Sequence, residues 1–197
     1  MNTITNTVET GEDFRVLLKR LTRHFESLGP NAPEVDDVLL RWAAALPDQA
    51  PDPGWTGLAG QLLDALTAPS AGLADPAPMD TEPPVSTSGD LRTLMRALAA
   101  DYAQARHQQE DRRAHGLWAG DGGSWAHDSL DSLLESWDAW LGASLGSPPR
   151  FPGIPPIEPV TWTSVAWQLG AARVYERHHP DLRCHQISGR QPSGEQG

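Results

Sequence analysis

The chain of 197 residues contains one cysteine, Cys184, and one lysine, Lys19. A single cysteine excludes a disulfide within the chain and favours a reducing compartment. No apolar run approaches the roughly 18 residues that a membrane-spanning helix needs. The N-terminal "MNTITNTVET" lacks the basic and apolar regions of a signal peptide. We therefore expect a cytoplasmic protein that does not interact with a membrane.

Basic residues are scarce, since 15 Lys and Arg stand against 26 Asp and Glu and the net charge is -11. Nucleic acids and anionic membranes are therefore poor partners, because a phosphate surface has to be neutralised by cations. The imbalance is greatest in residues 1–89, which hold 13 acidic and 5 basic side chains. This distribution favours a basic protein as partner.

Sequence signatures of catalysis and of cofactor binding are also missing. The chain has no GxGxxG, Walker A, HExxH, CxxC or GxSxG pattern. The segment "ERHHPDLRCH" gathers residue types that bind zinc, namely His178, His179, Cys184 and His185. Structural zinc usually takes four ligands from two separated pairs, and no second cluster exists, so we interpret this segment as part of a C-terminal tail. The sequence predicts no catalytic residue, no cofactor and no metal site.

Apolar residues recur with helical spacing in three stretches before residue 67. The first face consists of Phe14, Leu17, Leu18, Leu21 and Phe25; the second of Val35, Val38, Leu39, Trp42 and Leu46; the third of Trp55, Leu58, Ala59, Leu62 and Leu66. Thr10 and Asp13 have capping-box spacing before the first face. Three helices are predicted, with Gly29-Pro30 ending the first and Pro47 ending the second.

The same plan returns after a Pro-, Ala-, Ser- and Thr-rich linker at residues 67–89. "DFRVLLKRL" becomes "DLRTLMRAL" 77 residues later, the second face returns 95 residues later, and "GWTGLAGQL" becomes "TWTSVAWQL" 107 residues later. Loops tolerate insertion while helices keep their length, as expected of diverged copies. We predict an all-α fold of two tandem three-helix units, residues 10–66 and 90–179, related by internal duplication and packed as a six-helix assembly. Residues 1–9 and 180–197 are predicted to be disordered.

Two segments between residues 125 and 176 carry a family resemblance. "WAHDSLDSLLESWDAWL" and "VTWTSVAWQLGAARVYE" resemble an uncharacterised family of small acidic actinobacterial proteins. Its pattern is a Trp, "LxxxLEAxxAW", a Pro-containing loop, and a helix that opens with Trp and ends "AAxxYE". The resemblance implies a helical domain of unknown function and carries over no catalytic residue.

The candidate functional residues lie where the second unit differs from the first. The inserted "GLWAGDGGSWAHDS" brings together Trp118, Trp125, His127 and Asp128. This segment is either a binding loop with a His–carboxylate pair for general base catalysis, or a turn in which Asp128 caps the fifth helix. Trp140 and Trp167 stand where the first unit has Ala45 and Gly60. They are either exposed interface anchors or parts of a second small core beneath the inserted loops.

These features favour a non-enzymatic interaction protein, an adaptor or an antagonist of the immunity type, that binds another protein through Trp118, Trp125, Trp140 and Trp167. The alternative is a small-molecule site or enzyme in the cleft between the units, near Trp125, His127 and Trp140, with Asp128 beside His127. Convergence of these side chains in one pocket would favour the alternative, and an exposed apolar surface at Trp167 would favour the first hypothesis. The sequence does not predict the oligomeric state.

Overall fold

The computed structural model describes residues 8–69, 84–117, 125–145 and 155–175. They form six α-helices, and these residues contain no β-strand, so the predicted all-α class is confirmed. The helices are α1 (Gly11–Leu28), α2 (Val35–Ala45), α3 (Gly54–Thr67), α4 (Ser88–Ala114), α5 (Leu130–Ser144) and α6 (Trp162–Val174), with a single 3-10 turn at Gly29–Asn31. Within these ranges, no helix has the length and apolarity to cross a bilayer.

The first helix of each half begins with the same capping box. In α1 the Thr10 hydroxyl accepts the Asp13 amide at 3.2 Å, and the Asp13 carboxylate accepts the Thr10 amide at 3.1 Å. In α4 the corresponding distances between Thr87 and Asp90 are 3.1 and 2.9 Å. These reciprocal bonds satisfy amide groups that have no partner within the helix. Gly29, in the left-handed region at φ 53°, ends α1.

The start of α5 corrects one interpretation of the inserted loop. Its N-cap is Ser129 rather than Asp128, and the Ser129 hydroxyl lies 2.9 Å from the Ser132 hydroxyl. Asp128 instead uses its backbone carbonyl, which accepts the Tyr102 hydroxyl at 2.8 Å. Helix α6 has a third capping box, formed by Thr161 and Ser164.

The helices pack across the boundary between the two predicted units. The most extensive contacts join α1 to α5 and α2 to α4, followed by α5 with α6 and α2 with α3. The first helix of each half therefore lies mainly on the second helix of the other half. All six helices contribute to one continuous hydrophobic core.

Two tryptophans meet at the centre of this core. The rings of Trp42 and Trp137 are stacked, with centroids 6.2 Å apart and planes inclined by 24°. Both residues are almost fully buried. The Trp42 indole donates to the Gln61 side-chain oxygen at 3.4 Å, and the Trp137 indole donates to Gln168 at 3.0 Å. The central layer therefore contains two similar Trp–Gln pairs face to face.

A second set of matching hydrogen bonds fixes α3 and α6. The Thr56 hydroxyl donates to the Val8 carbonyl at 2.5 Å, and the Thr163 hydroxyl donates to the Val85 carbonyl at 2.6 Å. The spacing between the matching residues equals the offsets read from the sequence. These contacts agree with the predicted repeat, while its origin by duplication stays a prediction.

Candidate functional site

Helix α6 is apolar on more than its core-facing side. Trp162, Val165 and Leu169 are buried in the core. Trp167, on the opposite side of the helix, is 44% exposed, and Val174 is 55% exposed. A helix that is apolar on both sides is usually covered on both, so the outer face of α6 is the part of the fold that calls for a functional explanation.

The exposed side of Trp167 borders an open groove of about 730 Å³. One wall is the outer face of α6, with Ala166, Trp167, Gly170 and Val174, and the other wall comprises the segment before α4 together with Leu94. The segment before α4 is held to α6 by the bond from Thr163 to the Val85 carbonyl. The groove is therefore a feature of the well-packed end of the molecule.

Glycine keeps the floor of the groove low. A Cβ atom built on Gly170 would find no heavy atom within 4 Å, so the space above it is open. Trp167 stands one turn away on the same helix. A bulky side chain beside an open position can receive a complementary protrusion from another molecule.

One charged side chain, Arg173, is among the residues that line the groove. Its guanidinium lies 3.7 Å from the Asp101 carboxylate of α4. Asp101 also accepts the Trp125 indole N–H at 2.9 Å. The ion pair thus links the edge of the groove to the buried tryptophan behind it, and the lining itself stays mainly apolar.

The tryptophans predicted to form an interaction surface have different environments. Trp125 is 4% exposed and packs edge-to-face against Tyr102, with ring centroids 5.0 Å apart. Trp140 is partly buried and packs against the core. Trp118 lies outside the described residues. Trp167 is the one among the three described tryptophans of that set that offers a large accessible surface.

The residues of the alternative site lie apart from the groove. His127 is half-buried, and its Nε2 is 3.2 Å from the Tyr175 carbonyl at the end of α6. The Asp128 side chain is exposed. Trp125, His127, Asp128 and Trp140 are not among the residues that line the groove. The structure therefore does not bring these four residues and Trp167 into one pocket.

Tyr102, which the sequence placed only on an apolar helix face, anchors the start of α5. Burial raises the pKa of its hydroxyl well above the ordinary value. The hydroxyl donates to the Asp128 carbonyl, so the neutral form is the one that the fold uses. This tyrosine has a structural role in positioning the segment that carries Trp125 and His127.

Sequence reasoning also missed a buried carboxylate. Asp138 of α5 is 3% exposed, and its Oδ1 accepts the Arg15 Nε at 2.9 Å, while Lys19 lies 3.8 Å from its other oxygen. The signal available in the sequence is an acidic residue directly after Trp137, on the side of the helix that is otherwise apolar. Asp138 binds α1 through charge and lies within a helix contact rather than in a cavity.

The described part of the chain contains no group of three or more His, Cys, Asp or Glu side chains that could hold a metal ion. The His- and Cys-rich segment at residues 178–185 lies outside it. Comparison with protein-family models, with curated proteins and with solved structures finds no match for this chain. The resemblance to an actinobacterial helical family stays a prediction, and the argument for function rests on the groove.

Proposed function

We propose that this protein acts without catalysis and binds another protein, as an adaptor or as an antagonist of the immunity type, through the groove at Trp167. The observation that carries the proposal is a tryptophan 44% exposed beside an open, mainly apolar groove on a well-packed helix. Tryptophan is enriched among the residues that dominate binding energy at protein interfaces, and it does so when a partner removes it from water.

The shape and chemistry of the groove suggest how a partner would bind. Trp167 and Val174 offer apolar surface, and Gly170 leaves room for an inserted side chain. An apolar side chain on a partner helix or loop suits this arrangement. The net charge of -11 would attract a basic partner over distance and raise its association rate, while the groove supplies the short-range contacts. A cytoplasmic location remains part of this proposal and rests on the single cysteine.

The alternative, a small-molecule site or enzyme near Trp125, His127 and Trp140, receives less support. Such a site needs polar groups that converge on one concave space. Trp125 is buried with its indole bonded to Asp101, and the hydrogen bond described for His127 is to the backbone of Tyr175. The groove beside Trp167 is thus a better candidate than this cluster.

The test is a pull-down from the native host with wild type and two groove variants. Trp167→Ala removes the anchor, and Gly170→Leu fills the groove without a clash at its Cβ. The matched controls lie in the first half: Val16→Ala, at a residue 46% exposed, and Gly60→Leu, where a Cβ would also meet nothing within 4 Å.

We expect one protein to be captured by wild type and by both controls and to be lost with both groove variants. Loss of a typical hot-spot tryptophan costs roughly 2–4 kcal/mol, which weakens binding about 30- to 800-fold. A captured protein that is retained equally by Trp167→Ala and Gly170→Leu would contradict the proposal. Turnover of a small molecule that depends on His127 would favour the alternative.

A further inference from the structure

The way in which the halves hold each other differs from two packed three-helix units. Helix α1 makes its main contacts with α5, and α4 makes its main contacts with α2. Each half, residues 8–69 or residues 84–175, therefore places its first helix on the second helix of the other half. The third helix stays with its own half, because α3 packs on α2 and α6 packs on α5.

The start of each exchanged helix fits closely against the other half. A Cβ on Gly11 would lie 2.6 Å from the Leu145 side chain, so glycine is needed for this approach of α1 to the end of α5. Ser88, 77 residues later, occupies the same place in α4. Its hydroxyl donates to the Pro47 carbonyl and accepts the Ala50 amide, both at 2.8 Å, just beyond α2.

One turn further on, an arginine from each first helix reaches the other half. Arg15 donates to the Asp138 backbone carbonyl at 3.3 Å as well as to the Asp138 carboxylate. Arg92, also 77 residues later, donates to the Leu46 carbonyl at 3.2 Å and pairs with Asp48. In both cases an arginine closes the C-terminal end of the facing helix, where the carbonyl groups have no partner within the helix.

The remaining contacts between the halves are also reciprocal. The Trp55 indole donates to Glu158 at 2.9 Å, in the segment before α6, and the Trp162 indole donates to the Ala50 carbonyl at 3.0 Å, in the segment before α3. The stacked rings of Trp42 and Trp137 lie between the two sets. Every one of these contacts pairs an element of one half with the matching element of the other.

We propose that the protein is an intertwined dimer within one chain, in which each half is completed by the first helix of the other half around an approximate two-fold axis at the Trp42–Trp137 stack. The surface that each half offers fits one kind of partner, a three-helix half of the same pattern. This reciprocal pattern is typical of isologous interfaces and of exchanged elements. The proposal is independent of the groove, and it predicts that neither half is a separate folding unit.

The test uses the full chain with a protease site placed within residues 70–83. After cleavage we expect the two pieces to elute together at the mass of the intact chain, 21.3 kDa, with the helical circular dichroism signal unchanged. The unfolding midpoint of the cleaved protein should rise with concentration, because association of the pieces becomes part of folding. Pieces that elute apart while each keeps its helical signal would overturn the proposal.

Two variants in opposite halves test the exchange itself. Gly11→Leu forces α1 away from Leu145, and Ser88→Leu forces α4 away from the segment after α2. In the cleaved protein each should raise the dissociation constant of the pieces roughly tenfold to hundredfold, as overpacking of a core contact does. Gly60→Leu, at an open position, should leave it unchanged.

The contrary result is also defined. If α1 and α4 stabilised only their own halves, both variants would lower the helical content of one piece and leave the dissociation constant as in wild type. If Gly11→Leu does not fold, the smaller Gly11→Ala applies, and it should weaken association of the pieces in the same direction. Association of unchanged strength in the folded Gly11→Ala and Ser88→Leu proteins would overturn the exchange.

Discussion

The buried carboxylate of Asp138 provides the sharpest stability prediction. Its side chain is 4% exposed and it pairs with Arg15, whose side chain is 19% exposed. Replacement by alanine, the residue that the first half has at the matching Ala43, removes the acceptor of a charge-assisted hydrogen bond. Hydrogen bonds to charged groups contribute about 1.5–3 kcal/mol, and removal of one partner of a buried ion pair costs 3–5 kcal/mol.

The lower part of this range applies to Asp138→Ala. Arg15 keeps two bonds to the exposed Glu12, at 3.1 and 3.0 Å, and one to the backbone carbonyl of residue 138, so its charge is not left alone. We therefore expect a loss of about 2 kcal/mol in the free energy of unfolding. For a chain of this size that corresponds to a fall of about 4–8 °C in Tm.

The assay is urea unfolding followed by circular dichroism, with a double-mutant cycle of Asp138→Ala and Arg15→Ala. The cycle should give a coupling energy of at least about 1 kcal/mol, since the two groups are in direct contact. Glu12→Ala is the control, because an exposed ion pair contributes only about 0–1 kcal/mol. A loss below about 0.5 kcal/mol for Asp138→Ala, or no coupling, would refute the assignment of Asp138 as the anchor of α1.

Three further predictions follow from the hydrogen bonds and the groove. Thr56→Val and Thr163→Val should each lower stability by about 1 kcal/mol in urea unfolding, because each removes one donor to a backbone carbonyl; unequal losses beyond about 1 kcal/mol would contradict their matching roles. Asp13 and Asp90 have pKa values lowered from 3.8, Asp13 chiefly by the hydrogen bond from the Thr10 hydroxyl and Asp90 chiefly by the Ser86 amide. Their stabilisation is complete above pH 3.8 and is lost as the pH falls through the lower folded values, so carboxyl NMR titration should give midpoints below 3.8 and acid unfolding should begin earlier in the Asn variants. Trp167→Ala should change stability by no more than about 1 kcal/mol, because the residue is exposed on a helix that alanine favours; a larger loss in the same assay would mean that Trp167 belongs to the core.

Local signals made the helices predictable from the sequence. The faces that begin at Phe14 and Leu91 are each set by spacing within one helix, and the capping boxes at Thr10 and Thr87 are set by residues three positions apart. Periodicity identifies the buried side of a helix. It does not identify what covers that side, so the contact of α1 with α5 rather than with its sequence neighbour could not be read from the pattern.

The candidate site was predictable in part for the same reason. The angular position of Trp167 on α6, nearly opposite Trp162, follows from helical geometry, and its exposure agrees with that position. The burial of Trp125 depends on Asp101 and Tyr102, more than twenty residues earlier on another helix. The N-cap of α5 involved two adjacent residues that both cap well, and the choice of Ser129 over Asp128 depends on the tertiary bond from Tyr102.

The positions where the matching halves differ separate structural from functional substitutions. Tyr102 replaces Phe25 and uses its hydroxyl to hold Asp128, and Asp138 replaces Ala43 and uses its carboxylate to hold Arg15. Both substitutions are accounted for by contacts inside the molecule. Trp167 replaces Gly60 and leaves 44% of its side chain in water, next to a groove. Because packing alone does not require a large apolar side chain there, this substitution is the one that points to a partner outside the chain.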